Sequence, residues 1–359
     1  MKILLTASRA LIAPEIIRNL SKYGHSVITA DSMRFGAGNS CNKRVKHIPI
    51  PSCRFYENEF VDAINKIVKK EQIELILPLA EEGYYLAKHK NELLCDCFVE
   101  EIEKIEQLHN KFMFYKICLK LGIKTPHTEI AKDLGKNKIY KRIYSRCGES
   151  AGMSPRGCDL STGQWIAQDF IMGIPISCFS AGKHTVVYGA GFHNKIAPFS
   201  NIQDIDELAC KNKILEIVGK IHSNVGYNGA MGLDFIAADS GIYCIECNPR
   251  ITSGLLLMSE YDLLGILLNQ VDRVDTKGQS RKFIGYMFWQ FLTGEVNCTN
   301  IKEYLFVMKN FKESVASVRD IKPFLASYMM NLEWIWLALK NKINIKEAAS
   351  YDIQYNQGY

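Results

Sequence analysis

The segment from Gly232 to Arg250, GLDFIAADSGIYCIECNPR, constrains this chain more than any other stretch. It predicts two strands joined by Asp239-Ser240-Gly241, a three-residue hairpin loop closing on a left-handed glycine. Strand side chains alternate, so Cys244, Glu246, Asn248 and Arg250 are expected on one face and Ile245 and Cys247 on the other. That register sets Ala238 opposite Ile242, Ile236 opposite Cys244, and Asp234 opposite Glu246. Opposed residues point to the same side of a sheet, so two carboxylates would stand together with Asn248 beside them. Like charges so placed repel unless a cation lies between them. Hard oxygen ligands of this kind suit Mg²⁺ bridging nucleotide phosphates, with Asp234, Glu246 and Asn248 as the candidate metal ligands. An ordinary surface hairpin with scattered acids is the competing reading of the Asp and Glu alone.

With 359 residues, the chain is long enough for two or three packed lobes. A hydrophobic fraction of 47% and a charged fraction of 23% are those of a soluble globular protein. The net charge of +6 favours small anions but lacks the dense basic stripe of a nucleic-acid binder. The opening MKILLTASRA reads as a strand and turn, too short for a signal peptide. The twelve cysteines are scattered, which points to reduced thiols and a cytoplasmic protein. Cys244 and Cys247 form the one CxxC, and on a regular strand they would face opposite sides and share no metal. The apolar stretch Pro323 to Leu339 contains Asn331 and Glu333 and is short for a membrane span. It reads as a buried helix or one packed on a partner subunit.

Lys2 to Thr6, a helix beginning near Pro14, and Ser26 to Ala30 ending at Asp31 form a βαβ unit. It lacks Gly-x-Gly-x-x-Gly, so dinucleotide binding and a ribose role for Asp31 are unsupported. Phe60 to Lys70 reads as a helix and Leu75 to Pro78 as a strand. The loop Ala80-Glu81-Glu82 after that strand offers substrate contacts or simply an acidic helix start. Helices are expected at about Asn91 to Gln107 and Lys111 to Leu121. Strands are expected from Lys138 to Arg146, Trp165 to Phe170 and Ile176 to Gly191, then a helix near Asp206 to Val225. Gly148 to Gly163, rich in Gly, Ser and Pro, reads as a phosphate lid or an ordinary hairpin tip. The remainder from about Gly265 reads as mostly helical, anchored by Trp289, Trp334 and Trp336.

Glu246-Cys247-Asn248-Pro249-Arg250 resembles the Glu-x-Asn-Pro-Arg signature of the ATP-grasp superfamily. His109-Asn110-Lys111 with Leu121-Gly122-Ile123-Lys124-Thr125-Pro126 is similar to the opening helix of that fold. Lys141, the hinge Trp165 to Gly173, Asn228-Gly229, Gly232 to Phe235 and Thr252-Ser253-Gly254 follow in the same order. The resemblance spans roughly residues 1 to 260 and is nearest to the carboxylate–amine ligases and the carbamoyl phosphate synthase-like proteins.

It implies an α/β protein with α+β lobes: a Rossmann-like domain at 1–105, a small lobe with its lid at 106–173, a metal and catalytic lobe at 174–264, and a mostly helical region at 265–359. It implies ATP held between two small lobes, with Mg²⁺, or Mn²⁺ in its place. Lys111 and Lys141 would meet phosphate oxygens as compact charges, and Gln168, Asp169, Phe170 and Ile171 would receive adenine. Arg250 and Lys141 would be catalytic, Arg250 facing the transferred phosphoryl group. Pro175 stands where the family carries a ribose-binding Glu, with Asp169 a candidate substitute.

The activity implied is phosphorylation of a carboxylate to an acyl phosphate, followed by capture with an amine. Alternatives are bicarbonate use in carboxylation or carbamoyl phosphate formation, or an ATP-binding regulator without turnover. Expected partners are a small carboxylate and amine and a second copy as a homodimer, with no nucleic acid and no membrane span. Candidate substrate contacts are Ser8-Arg9, Glu81-Glu82, and His193 and Lys195.

Overall fold

The apolar run Ile3-Leu4-Leu5 is fully buried because its strand is covered on both faces, as parallel sheets are. Ile3 and Leu5 pack into one core cluster and Leu4 into the other, so the sheet divides the two. The sheet consists of β1 (Lys2–Thr6), β2 (Ser26–Asp31), β3 (Lys46–Pro49), β4 (Leu75–Pro78) and β5 (Asp96–Cys97). Its order is β3-β2-β1-β4-β5, all parallel. Helices Ala13–Lys22 and Glu57–Glu71 make the crossovers. The computed structural model describes residues 1–41, 45–145, 152–153, 159–190, 200–205, 208–292, 294, 296–317 and 320–355.

The helix expected from Asn91 to Gln107 is confined to Ile102–His109. Asp96 and Cys97 instead pair with Leu75 and Ile76, and the Phe98 amide donates to the Ile76 carbonyl at 2.9 Å. Edge pairing with a buried strand outweighs the local helix pattern there.

A second, antiparallel sheet holds β6 (Thr128–Ile130), β7 (Lys138–Arg142) and β8 (Trp165–Asp169) in the order β6-β8-β7. A third holds β9 (Ile174–Ala181), β10 (His184–Ala190), β11 (Asn201–Asp204), β12 (Ala230–Ala238), β13 (Gly241–Asn248), β14 (Ser280–Lys282) and β15 (Lys312–Glu313) in the order β13-β12-β9-β10-β11-β14-β15. All its pairs are antiparallel except β14 with β15. The helix Leu208–Val225 precedes the β12–β13 hairpin.

That hairpin departs from its expected register in one instructive way. Ala238 pairs with Gly241, which leaves a two-residue loop of Asp239 and Ser240. Pairing is then Ile236 with Tyr243 and Phe235 with Cys244, one residue away from expectation. A bulge between Asp234 and Phe235 restores the count, so Asp234 does face Glu246. The bulge also breaks the alternation. Cys244 and Cys247 both lie in the same buried cluster, with Cys118 and Cys178, rather than on opposite faces. Burial first, then neighbouring thiols, holds both far above the ordinary cysteine range, so they stay protonated and inert.

Beyond residue 283 the chain is mainly helical, with helices Ile284–Leu292, Ile301–Asn310, Lys322–Asn341 and Ile345–Ala348. The Trp334 indole donates to the Met33 sulfur at 3.3 Å and anchors this region to the first sheet's loops. Trp336 is no anchor: it is 58% exposed. None of the described helices is long and apolar enough to cross a membrane. The side chain of Trp289, His193, Lys195 and most of the Gly148 to Gly163 loop lie outside the described residues.

Candidate active site

Asn110 ends one helix and begins the next. Its side-chain oxygen accepts from the Phe112 and Met113 amides at 3.1 and 2.9 Å, an N-cap that fixes Lys111 at the first helical position. Lys111 is buried, and its ammonium donates to the Ser145 carbonyl at 2.8 Å. On β7, Lys141 reaches along its own sheet face to the Gln168 side-chain oxygen at 3.1 Å. Gln168 lies on that face because it pairs with Ile139, two residues before Lys141. Gln168 is held in turn by donating to Thr128 Oγ1 at 3.1 Å.

The two lysines converge on the hairpin. Lys111 Nζ lies 3.8 Å and Lys141 Nζ 3.7 Å from the same oxygen of Glu246. Across the strand pair, Asp234 Oδ1 accepts from Ser177 Oγ at 2.7 Å, and Asp234 Oδ2 accepts from Asn248 Nδ2 at 3.2 Å. Burial, then the charge of Glu246, pushes Asp234 up to about 6. Burial pushes Glu246 upward too, but Lys111 and Lys141 more than reverse this and leave it below the usual carboxylate range. Burial lowers Lys111, which Glu246 partly offsets. The site is a half-buried carboxylate pair flanked by two ammonium groups.

Asp234, Glu246 and Asn248 provide oxygen donors of the type Mg²⁺ selects, and the raised Asp234 marks a position where added positive charge would relieve repulsion. Among the described residues, no cluster of three or more His, Cys, Asp or Glu side chains has metal-binding geometry. Any cation here would therefore draw on an amide oxygen, water or the nucleotide to complete its shell.

Arg250 follows on the same chain segment. It donates to the Ile251 carbonyl at 3.2 Å, while its Nε is buried without a hydrogen-bond partner among the described residues. A narrow cleft beside it is lined by Pro78, Ala80, Tyr84, Tyr227 and Pro249. It lies where the carboxyl end of β4 meets the hairpin, the edge at which open parallel sheets take ligands.

The hinge is less open than its sequence suggests. The Asp169 amide donates to the His127 carbonyl and the Phe170 amide to the Asn137 carbonyl, both at 2.9 Å, so neither is free for a base. The Asp169 carboxylate is paired with Lys138 at 2.8 Å, while Phe170 is exposed and Ile171 half-buried. Gly173 passes so close to β12 that a Cβ would sit 2.4 Å from the Ala237 carbonyl oxygen. Pro175 pairs with Ile236 at the start of β9, where a missing amide is tolerated.

The other candidate contacts have structural duties. Arg9 donates from its backbone and its Nε to Asp31 at 2.8 and 2.9 Å, and from Nη1 to Asp352 at 2.6 Å. Asp31 is thus committed to Arg9. Ser8 donates to Asn39. Glu82 accepts from Thr6 Oγ1 at 2.8 Å and from the Leu79 amide at 3.0 Å; Glu81 accepts from the Tyr355 amide at 3.0 Å. Both glutamates are buried. The segment Asp352 to Tyr355 therefore lies across the carboxyl edge of the first sheet.

Two residues join the site without having been expected there. Ser177 orients Asp234, and only the strand order could have revealed it. His109 is buried between the Tyr84 and Tyr144 rings, 4.9 and 5.4 Å away, with Nε2 unpartnered among the described residues. Burial lowers it to about 4, so it is neutral. Its sequence signal was its place directly before Asn110-Lys111.

Residues 108–254, which include Lys111, Lys141, Asp234 and Glu246, match the ATP-grasp domain family. This stretch is an ATP-grasp domain. The chain is 27% identical over 239 residues to tyramine–L-glutamate ligase of Methanocaldococcus jannaschii, covering 62% of this chain and 70% of that protein. Among solved structures, L-amino acid ligase from Bacillus licheniformis superposes with a TM-score of 0.58 at 14% identity, over 75% of this chain and 76% of that one. N5-carboxyaminoimidazole synthetase from Staphylococcus aureus in complex with ADP gives 0.60 at 14% identity, over 76% and 79%. Those two structural likenesses show that this chain shares their fold.

Proposed function

We propose that the protein is an ATP-dependent carboxylate–amine ligase acting on small molecules. The observation that carries this reading is the approach of Lys111 and Lys141, from two different elements, to the Glu246 that faces Asp234. The names of the archaeal and Bacillus relatives place an amino acid among their substrates, and we extend this class to the acid here. The four-part division at 105, 173 and 264 follows from the same reading.

In this scheme the substrate carboxylate attacks the γ-phosphorus of ATP, and ADP leaves. The amine then attacks the acyl carbon, phosphate departs and an amide remains. Lys111 and Lys141 hold phosphate oxygens, and Arg250 presents its planar guanidinium to the transferred group. Asp234, Glu246 and Asn248 would hold Mg²⁺, which when bound neutralises charge on the phosphates. Ser177 keeps the Asp234 carboxylate oriented. Gln168 sets the direction of Lys141. Positioning and charge neutralisation suffice for such transfer, so no nucleophilic side chain is required. A small cytoplasmic enzyme fits the unclustered cysteines.

The test is ADP release from Mg·ATP with pooled carboxylic acids and pooled amines, with products weighed by mass spectrometry. ADP release that needs both pools and yields an amide is expected. Release stimulated by bicarbonate alone would reassign the protein to carboxylation or carbamoyl phosphate formation.

A further inference from the structure

The helix Lys322–Asn341 leaves an apolar face in water. Leu325, Met329, Leu332, Trp336 and Leu339 are 44 to 75% exposed. Their spacings of four, three, four and three residues keep all five on one stripe of the helix, about 21 Å long at 1.5 Å per residue. The opposite face is already used. Pro323, Ala326, Ser327, Met330 and Ala338 are buried, Trp334 donates to Met33, and Glu333 accepts from the Arg34 and Phe35 amides at 3.4 and 3.2 Å. The stripe continues onto the neighbouring helix Ile284–Leu292, where exposed Phe288 meets Tyr328 at 6.3 Å between ring centroids and Phe291 is also exposed.

We propose that this stripe seats the same stripe of a second copy of the chain, with the two helices antiparallel about a twofold axis at Leu332. Reversed about Leu332, the pattern meets itself to within one residue. Leu325 and Leu339 lie seven residues on either side of Leu332, so each meets the other's counterpart, and Met329 lies one residue, about 1.5 Å, from level with Trp336 of the second copy. A heptad-like seam is the pattern by which two helices interlock, and a twofold contact uses one patch twice. Area supports a second copy as the occupant. Ile321, Phe288 and Phe291 join the five stripe residues, and eight half-exposed side chains at roughly 100 Å² each give about 800 Å² per copy. That is about what each partner contributes to a standard interface. A helix lying on a membrane keeps a charged face in water, whereas the reverse face here is packed on its own protein. The inference does not depend on the proposed activity.

The experiment is sedimentation velocity on the full chain over a wide range of concentration, with a species near twice 40.8 kDa expected. Leu332→Glu and Trp336→Glu should each weaken dimerisation at least tenfold without changing the melting temperature of the monomer. Because both positions are exposed, folding is not at stake. Leu332→Cys should be joined to its counterpart by a short bis-maleimide, with the parent protein as control for Cys298. A parent that stays monomeric, a dimer that survives both Glu variants, or a failure to cross-link through position 332 would each overturn the proposal. So would a monomeric parent that co-sediments with phosphatidylserine vesicles.

Discussion

Asp234 and Glu246 are direct antiparallel partners, yet their acidities are driven apart. Burial and the neighbouring charge raise Asp234 to about 6, while Lys111 and Lys141 overcome burial and lower Glu246. The pair titrates as a unit, and its upper step belongs mainly to Asp234.

This has a consequence for stability. A carboxyl raised in the folded state contributes stability below its unfolded pKa, about 3.9, and loses it as pH rises through about 6. Asp234→Asn without metal should therefore melt a few degrees above the parent at about pH 8 and near it at about pH 4. Melting curves in chelator at the two pH values check this. A variant that melts lower at the higher pH contradicts the charge-pair account.

Glu246→Gln and Asn248→Ala should each abolish metal-dependent ATP turnover while leaving the fold intact. The far-ultraviolet spectrum and an ADP-release assay separate the two effects. Turnover at the parent rate in both variants would remove these residues from the metal site.

Lys111→Met and Lys141→Met should each weaken ATP binding. A charge-assisted bond to phosphate contributes about 1.5–3 kcal/mol, so a loss of roughly tenfold or more is expected. Nucleotide titration by calorimetry measures it. Unchanged affinity in both variants would return the lysines to a purely structural role around Glu246.

The facing of Asp234 and Glu246 was legible because it survives errors in local geometry. Asp234 faces Glu246 although the loop is one residue shorter than expected, since the bulge compensates for it. The same bulge was not legible: nothing in Ile245 marks it as the extra residue, and so Cys244 was placed on the wrong face. Lys111 and Lys141 were singled out by the family resemblance, and their approach to one carboxylate oxygen depends on tertiary packing. The first sheet could be read from its apolar runs, which parallel strands buried on both faces require. The committed state of Arg9 and Glu81 could not, because their partners Asp352 and Tyr355 lie hundreds of residues away. Trp336 was misread for a physical reason: an apolar residue on a helix signals burial, and sequence does not say whether its own chain supplies the cover.

Arg250→Lys should lower turnover far more than nucleotide affinity. Lysine keeps the charge but loses the bidentate fork, which matters most as charge develops during transfer. Steady-state kinetics reads the split between kcat and KM. A change confined to KM would assign Arg250 to ground-state binding.

In the proposed reaction a carboxylate is phosphorylated before an amine captures it. Oxygen-18-labelled carboxylic acids, incubated with Mg·ATP and amines, test it directly through the phosphate released. Transfer of one labelled oxygen from each acid consumed to phosphate, matched by the amide formed, is the expected result. Amide formation with unlabelled phosphate, or ADP release with neither amide nor label transfer, would contradict it.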